Sequence, residues 1–307
     1  MTKEDQPESL EKIPVTLDAL KDAIKSSGYL LEQRVAATLE DRAYNVRTSE
    51  FVPDPRDEEK AVEIDVMAYE LRTVDSATES YTGTVLNIEC KNNALPVVFF
   101  TKSQPHPQLN QGCIAYDGFP MFSATPTEPG QVRIEVLLEM SDWHHYCTSS
   151  EMATQFCSFN GGGKKLKVAP MQHYSESFSN LCLTTISNQK RTNTNKPNVE
   201  LAFLYPIVVL QGDLYTAQQI EGDVELRQKN HVQLRHSAAL GGEVVTRIID
   251  VVTEQGLRSL LGLIEREGER TDEAVKRFLP RLLASAADQK RVIVQERAKA
   301  MFARRGK

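Results

Sequence analysis

The sequence contains no apolar run long enough to cross a membrane. Its longest candidate, LAFLYPIVVL at residues 201–210, is interrupted by Pro206 and falls well short of the roughly 18 residues that a membrane-spanning helix needs. Residues 1–13 are charged and lack the apolar stretch of a signal peptide. We therefore expect a cytoplasmic protein that does not associate with a membrane.

Cysteine is also scarce. Five cysteines are scattered along 307 residues, and no two of them form a CxxC pair. An odd and dispersed set does not suit a disulfide framework, which usually links an even number of cysteines in a small secreted domain. We expect all five to be reduced thiols, and they are Cys90, Cys113, Cys147, Cys157 and Cys182.

Positive charge is in deficit overall, but the charge is distributed unevenly. The formal net charge is −6, which by itself does not indicate a nucleic-acid-binding protein. Seven acidic residues lie between Asp54 and Glu70, whereas residues 152–199 carry six basic residues and one acidic residue. An acidic focus and a separate basic segment suit a metal site beside a polyanion-binding groove, and ordinary surface variation accounts for them equally well.

Hydrophobic periodicity predicts an α/β (α+β) protein with a central mixed sheet flanked by helices. Helical spacing is found over residues 15–44, where SSG at 26–28 breaks or restarts the helix, and again from Gly256 onward. Two more helices are predicted, at SSEMATQFCSF (149–159) and SFSNLCLTTISNQKR (177–191). Strands are predicted for YNVRTSEFV (44–52), KAVEIDVMAYEL (60–71), TVLNIECK (84–91), PVVFF (96–100), VRIEVLLEM (132–140), ELAFLYPIVVLQG (200–212) and TRIIDVVTE (246–254).

These patterns divide the chain into three parts. Residues 1–13 are expected to form a flexible lead-in, and residues 14–255 a main domain with an insertion around 103–200. Residues 256–307 are expected to form a C-terminal helical region that ends in a basic tail.

Two successive predicted strands place acidic residues on their polar faces. Side chains alternate between the two faces of a strand, so Glu89 and Lys91 share one face while Cys90 points to the other. Asp65 lies on the polar face of the preceding strand, 24 residues before Glu89, and an antiparallel hairpin would bring the two carboxylates together. Glu32 lies one turn before an apolar pair, near the inward edge of its helix.

Converging carboxylates repel one another unless a cation lies between them. Like charges a few Å apart raise each other's pKa, and a hard dication such as Mg²⁺ (or Mn²⁺) relieves the repulsion. Such a metal lowers the pKa of a bound water and stabilises negative charge that develops on a phosphoryl oxygen. Carboxylates alone would raise the pKa of Lys91, so only an adjacent metal would make a neutral lysine plausible there.

The order of these elements resembles the PD-(D/E)XK nuclease superfamily, which has the restriction-endonuclease-like fold. The resemblance covers roughly residues 28–100 and rests on GYLLEQRVAATLEDRAYNV, VEIDVMAY and LNIECKN. It implies that Asp65, Glu89 and the backbone carbonyl of Cys90 bind the metal. It also implies that Lys91 assists the attacking water, that Glu32 holds the metal through a water molecule, and that the products carry 5′-phosphate and 3′-hydroxyl ends.

The sequence departs from the superfamily pattern in two respects. Ile64 precedes Asp65, so the literal Pro-Asp is absent, which weakens the match and leaves the chemistry intact. The superfamily core usually continues into a helix and a further strand, and the best candidates for these elements follow only after a long interval. The resemblance therefore implies insertions and stops near residue 100.

Five basic residues of the middle segment are candidates for contacts to nucleic acid. The loop NGGGKK lacks the G-x-x-x-x-G-K-[ST] spacing of a phosphate-binding loop and has no strand before it. We interpret the basic residues as contacts to the phosphate backbone, with a solvated loop as the alternative. They are Lys164, Lys165, Lys167, Lys190 and Arg191.

The segment DWHHYC raises the question of a zinc site. His144, His145 and Cys147 could join Cys157, but no pair spacing matches a known zinc knuckle, and adjacent histidines do not easily bind one metal together. We interpret the segment as helix packing with local capping.

The sequence thus predicts a cytoplasmic, Mg²⁺-dependent (or Mn²⁺-dependent) DNA endonuclease that acts in antiviral defence or in repair. Two alternatives remain open. One is a nuclease of the same fold that acts on RNA or on branched structures. The other is a non-catalytic scaffold in which the C-terminal helices support a homo-oligomer or bind a partner protein.

Overall fold

A mixed sheet of eleven strands forms the body of the protein in the part of the chain that the structure describes. The structure is a computed structural model, and it describes residues 15–119, 134–169, 172–187 and 198–305. The expected α/β class, with a mixed sheet flanked by helices and a helical C-terminal region, is confirmed.

The strands follow one another in the order β1-β2-β3-β9-β13-β12-β6-β4-β10-β11, and β5 pairs with the first half of β9, while β7 and β8 form a separate small hairpin. The strands are β1 (Asn45–Asp54), β2 (Asp57–Asp75), β3 (Ser80–Lys91), β4 (Val97–Ser103), β5 (Ala115–Phe119), β6 (Glu151–Cys157), β7 (Phe159–Asn160), β8 (Lys167–Val168), β9 (Glu200–Leu210), β10 (Leu214–Ile220), β11 (Asp223–Lys229), β12 (His231–Leu240) and β13 (Glu243–Thr253).

Helices cover the two faces of this sheet. They are α1 (Leu17–Ser26), α2 (Tyr29–Glu40), α3 (Ile134–Leu137), α4 (His145–Thr148), α5 (Gln172–Ser187) and α6 (Leu257–Arg305), and short 3₁₀ segments are found at Pro107–Cys113, Met140–Asp142, Gly163–Lys165 and Glu254–Gly256. The longest helix, α6, has 49 residues and spans roughly 70 Å at 1.5 Å per residue. No helix among the described residues is both long enough and apolar enough to cross a membrane.

Alternation of side chains explains why β2 and β3 lie where they do. The apolar set of β2, including Val66 and Ala68, faces one hydrophobic core together with Leu86 and Ile88 of β3. The same core contains buried residues of α2 and of the first half of α6. A second core on the other face forms where α5 packs its Phe178 and neighbouring apolar residues against β9, β12 and β13.

The central strand β9 is apolar on both faces because both cores bury it. It runs parallel to β3 over an unbroken register from Tyr81↔Glu200 to Lys91↔Leu210. The chain returns to β9 through α5, so a helix and a parallel strand do follow β3 after a long interval. Pro206 is tolerated because it falls between the part of β9 that pairs with β5 and the part that pairs with β13, where its missing N–H costs no hydrogen bond on that side.

Two of the predicted elements are wrong. The segment predicted as a strand at 132–140 contains helix α3 and a 3₁₀ turn, because its buried residues Ile134, Leu137 and Leu138 repeat at helical spacing. The segment predicted as a helix at 149–159 is strand β6, since pairing with β4 outweighs local preference.

The sequence interpretation also missed the short strands β5, β7 and β8 and three longer ones, β10, β11 and β12. The turn between β10 and β11 consists of Glu221 and Gly222, which have positive φ angles of 51° and 91°. Two such residues in succession form the tight hairpin turn that suits twisted strands, and the glycine was the available signal.

Burial in the sheet predicts a stability difference between two leucines on neighbouring strands. Leu86 on β3 is 0% exposed and Leu71 on β2 is 67% exposed. Leu86→Ala leaves a cavity in the core and should lower the free energy of unfolding by about 2–5 kcal/mol. The matched Leu71→Ala should change it by less than about 0.5 kcal/mol, both measured by urea unfolding. Equal losses in the two variants would contradict this description of the core.

Candidate active site

The hairpin of β2 and β3 brings the predicted acidic residues together. Its antiparallel register pairs Val66 with Ile88, so the next residues along, Asp65 and Glu89, lie opposite each other. The Asp65 carboxylate also accepts a hydrogen bond from the backbone N–H of Cys90, at 2.7 Å. This bond holds the Asp65 side chain at the end of β3.

Lys91 completes the group on the same face of β3. Its Nζ donates to Oε2 of Glu89 at 2.9 Å, and both side chains are largely buried. Ser177 on α5 lines the same cleft as Glu89 and lowers the pKa of its carboxyl slightly. The site is therefore built from two strands of the central sheet and roofed by α5.

Burial shifts the pKa values of the two acids in the same direction. It raises the pKa of Asp65, and the Cys90 N–H and the Lys91 ammonium offset this only in part. Burial also raises the pKa of Glu89; the Asp65 carboxylate adds to the increase, while Lys91 opposes it. One lysine therefore does not compensate the two carboxylates fully.

The basic member of the site keeps its proton. Burial opposes a charge on Lys91, but the hydrogen-bonded Glu89 carboxylate outweighs burial, and the pKa of Lys91 is raised above its ordinary value. This direction is the one expected for a lysine among carboxylates without a metal beside it.

Glu32 lies within electrostatic reach of the same group. Burial raises its pKa first, the carboxylates of Asp65 and Glu63 raise it further, and Lys91 lowers it. The helix that carries Glu32 packs its other side, through Leu31 and its apolar neighbours, into the core below the sheet. All four predicted catalytic residues are thus electrostatically coupled.

Asp65 and Glu89 line a cleft of about 740 Å³, whereas Lys91 and Glu32 are not among its lining residues. The tip of the β1–β2 hairpin forms one wall, and α5 forms the other. The two walls are tied together by Arg56, which binds the Asp54 carboxylate through two hydrogen bonds of 2.7 and 2.8 Å and donates to Oδ1 of Asn180 at 3.0 Å.

Arg56 and Lys60 are the basic residues that line this cleft, and the sequence interpretation missed them. Both lie inside the acidic segment, where their charges are outnumbered in the sequence. The dipeptide Pro-Arg between two strand patterns does indicate a hairpin, but only the folded chain turns that hairpin toward α5.

The described lysines of the predicted basic segment lie outside the cleft. Lys165 and Lys167 are exposed at the small β7–β8 hairpin, and neither lines the cleft. The backbone of Lys164 belongs to the same turn. Lys190 and Arg191 lie outside the described residues. Their contact with nucleic acid stays a prediction.

A second polar cluster lies buried under the sheet, and its centre is His145. Nδ1 of this histidine is 2.9 Å from Oε2 of Glu267 on α6, and Nε2 is 3.1 Å from Oδ2 of Asp250 on β13. Asp250 also binds the ring of His231 at 2.8 Å and accepts from the hydroxyl of Tyr146 at 2.9 Å. The cluster therefore joins α4, α6, β12 and β13.

This cluster carries its own cation. Burial disfavours charge on His145, but the carboxylates of Asp250 and Glu267 outweigh it and raise the pKa of His145 to about 10. The pKa values of both carboxyls are in turn lowered, because the histidines outweigh their burial. His145 is thus an imidazolium held between two carboxylates.

His144, His145 and Glu267 offer donor atoms that lie within 4.8 Å of one another, a spacing that could hold a metal ion. A metal needs a free lone pair on imidazole. Both nitrogens of His145 are bound to carboxylates, and Nδ1 of His144 accepts the backbone N–H of Tyr146, which places the ring proton on Nε2. The donor geometry therefore favours a proton over zinc in this cluster.

No family model matches the chain, and comparisons with curated proteins and with solved structures found no match either.

The His145 cluster predicts how stability depends on pH. Because the pKa of His145 is raised from 6.5 to about 10, its contribution is complete below pH 6.5 and is lost as the pH rises toward 10. The free energy of unfolding should fall by up to about 1.4 kcal/mol per pH unit in this window. Urea unfolding measured at several pH values tests this expectation.

The range below pH 9 is the most informative, because buried thiols such as Cys90, with an ordinary pKa of 9.0, add losses of their own above it. His106→Gln changes an exposed histidine and should keep the wild-type slope. His145→Gln should be less stable and should lose the slope. A wild-type profile that is flat between pH 6.5 and 9 would rule out a buried imidazolium.

Proposed function

We propose that this protein is a Mg²⁺-dependent (or Mn²⁺-dependent) nuclease that hydrolyses phosphodiester bonds, with DNA as its substrate. The observation that carries the proposal is that Asp65 and Glu89 converge in one cleft, where both carboxylates keep raised pKa values although Lys91 donates a hydrogen bond to Glu89. Buried acids that are not fully compensated are typical of sites tuned for function.

The donors of the cleft fit a hard dication. Mg²⁺ and Mn²⁺ prefer oxygen ligands, and Mg²⁺ is usually held by one or two carboxylates while its other positions take water and phosphate oxygens. Asp65 and Glu89 would bind it directly with the carbonyl of Cys90, and Glu32 would hold it through water. When bound, the metal would make an attacking water more acidic and stabilise charge on the phosphate.

The residues of the chain would contribute positioning and charge. Lys91 is held as a cation by Glu89, so it can orient the attacking water and neutralise negative charge that builds up on the phosphate. The water oxygen forms a bond to phosphorus in line with the bond to the 3′ oxygen, which breaks. The attacking water loses one proton to solvent and the 3′ oxygen takes one from solvent, so the products carry 5′-phosphate and 3′-hydroxyl ends.

The order of elements around the site supports the same proposal. The chain runs through α2, β1, β2 and β3 and later returns through α5 to β9, which is parallel to β3. This succession agrees with the helix and strand that the resemblance to PD-(D/E)XK nucleases implies.

Arg56 and Lys60 add positive charge at the cleft wall, where a phosphate backbone would approach.

Removal of Lys91 tests the mechanism. Lys91→Ala keeps both carboxylates, so folding should survive while cleavage falls by at least about a hundredfold, the loss expected for one positioned acid–base or electrostatic group. The measurement is cleavage of plasmid, linear duplex, single-stranded DNA and RNA, each with Mg²⁺, Mn²⁺ or EDTA. The exposed Lys102 on β4 gives the matched control, Lys102→Ala, which should cleave like wild type.

Equal cleavage by wild type and Lys91→Ala would refute the mechanism and leave the non-catalytic scaffold as the better interpretation. Preparations must be shown free of contaminating nuclease. Cleavage of RNA in preference to DNA would change the proposed substrate from DNA to RNA, while the proposed active site would stay the same.

Metal binding can be measured apart from catalysis. Asp65→Asn replaces a carboxylate by a neutral amide, which is a poorer ligand, so the affinity for Mn²⁺ should fall by at least about tenfold in isothermal titration calorimetry. Asp41→Asn, at an exposed carboxylate beyond the end of α2, should bind Mn²⁺ like wild type. Unchanged Mn²⁺ affinity in Asp65→Asn would remove Asp65 from the metal site.

A further inference from the structure

Strand β11 forms one end of the large sheet. Among the described strands it pairs only with β10, and all seven of its residues, Asp223–Lys229, are exposed. An edge strand of this length presents a row of backbone N–H and C=O groups that can pair with another strand. The cleft described above lies near the opposite end of the sheet, at β1–β3.

The hairpin turn determines which backbone groups face outward. Ile220 and Asp223 flank a two-residue turn, so they form a hydrogen-bonded pair, and such pairs alternate along the ladder. The hydroxyl of Thr216 on β10 donates to the carbonyl of Arg227, which shows that this carbonyl faces β10. The N–H and C=O groups of Val224, Leu226 and Gln228 therefore point to the open edge.

The side chains of β11 are complementary to their own reverse order. The strand reads Asp-Val-Glu-Leu-Arg-Gln-Lys. When two copies run antiparallel about Leu226, Asp223 meets Lys229 and Glu225 meets Arg227, each pair occurring twice. Opposite charges directly across a ladder are stabilising, and like charges are destabilising.

Other registers that join the same backbone groups are less favourable. Centring the pair on residue 225 places two Glu225 side chains opposite each other, and centring it on residue 227 does the same with Arg227. Only the register about Leu226 matches all four charged residues with opposite charges.

An exposed apolar patch lies on the other face of β11, opposite its charged side chains. Leu226 pairs with Ala217, which pairs with Phe100 on β4, so the three lie side by side across the sheet. Leu226 and Val224 are both 57% exposed and Phe100 is 40% exposed. A second copy would bring two such patches together across the symmetry axis.

We propose that β11 is a dimerisation edge, where two copies of this chain pair antiparallel about Leu226 and join their sheets into one. The contact is isologous, since each copy contributes the same strand to a closed two-fold pair. It is independent of the proposed nuclease activity, because no residue of the cleft takes part.

Charge reversal provides the test, by sedimentation velocity on the full chain over a wide concentration range. Wild type should form dimers. Glu225→Lys alone, or Arg227→Glu alone, places like charges opposite each other twice, so the dimer dissociation constant should rise by at least about tenfold. The double variant Glu225→Lys/Arg227→Glu restores opposite charges and should dimerise like wild type.

An equimolar mixture of the two single variants sharpens the result. Two copies of the same variant repel each other at β11, because like charges face each other there. One copy of each variant brings opposite charges together, so a heterodimer should form in the mixture. Exposed charges contribute little to folding, and all variants should remain folded by circular dichroism. A wild type that stays monomeric at every concentration, or a dimer that Glu225→Lys does not weaken, would overturn the proposal. Cleavage assays are unaffected by either outcome.

Discussion

The parallel pairing of β3 with β9 determines where everything else in this protein lies. Eleven consecutive residues of β3 are held in register by a strand that is buried on both faces, so β3 cannot slide or tilt. A shift by one residue would turn Ile88 out of the core and Glu89 into it. The position of Glu89 in the cleft, with Lys91 hydrogen-bonded to it, is therefore a consequence of hydrophobic burial further along the same strand.

The protein contains two groups of buried carboxylates whose pKa values are shifted in opposite directions. In the His145 cluster, two carboxylates flank an imidazolium and their pKa values are lowered. In the cleft, Asp65 and Glu89 share one lysine and their pKa values are raised. The first group contains its own counter-ion and joins the elements packed on one face of the sheet. In the second group the negative charge is not fully compensated and the carboxylates are open to solvent. This arrangement suits a hydrated cation that binds from solution.

The two ends of the sheet carry different surfaces. At one end the β1–β2 hairpin bends over the cleft and is tied to α5 through Arg56. At the other end β11 leaves its backbone open and has a self-complementary charge sequence. The central strands separate these surfaces, so a partner at β11 would leave the approach to the cleft free.

Local sequence was enough to name the proposed catalytic residues, because alternation along β2 and β3 and the turn before the apolar pair of α2 are properties of neighbouring residues. Asp65, Glu89, Lys91 and Glu32 could be named on that basis. The sequence predicted a helix where β6 lies and a strand where α3 lies. Both predictions were wrong because pairing with β4 and burial in the core, and not local preference, determine these two elements. Tertiary structure alone decided that Arg56 lies across the cleft from Asn180, 124 residues away, and that His145 lies between Asp250 and Glu267, 105 and 122 residues away. Such contacts depend on the folded path of the chain, for which no local pattern of residues is a sufficient guide.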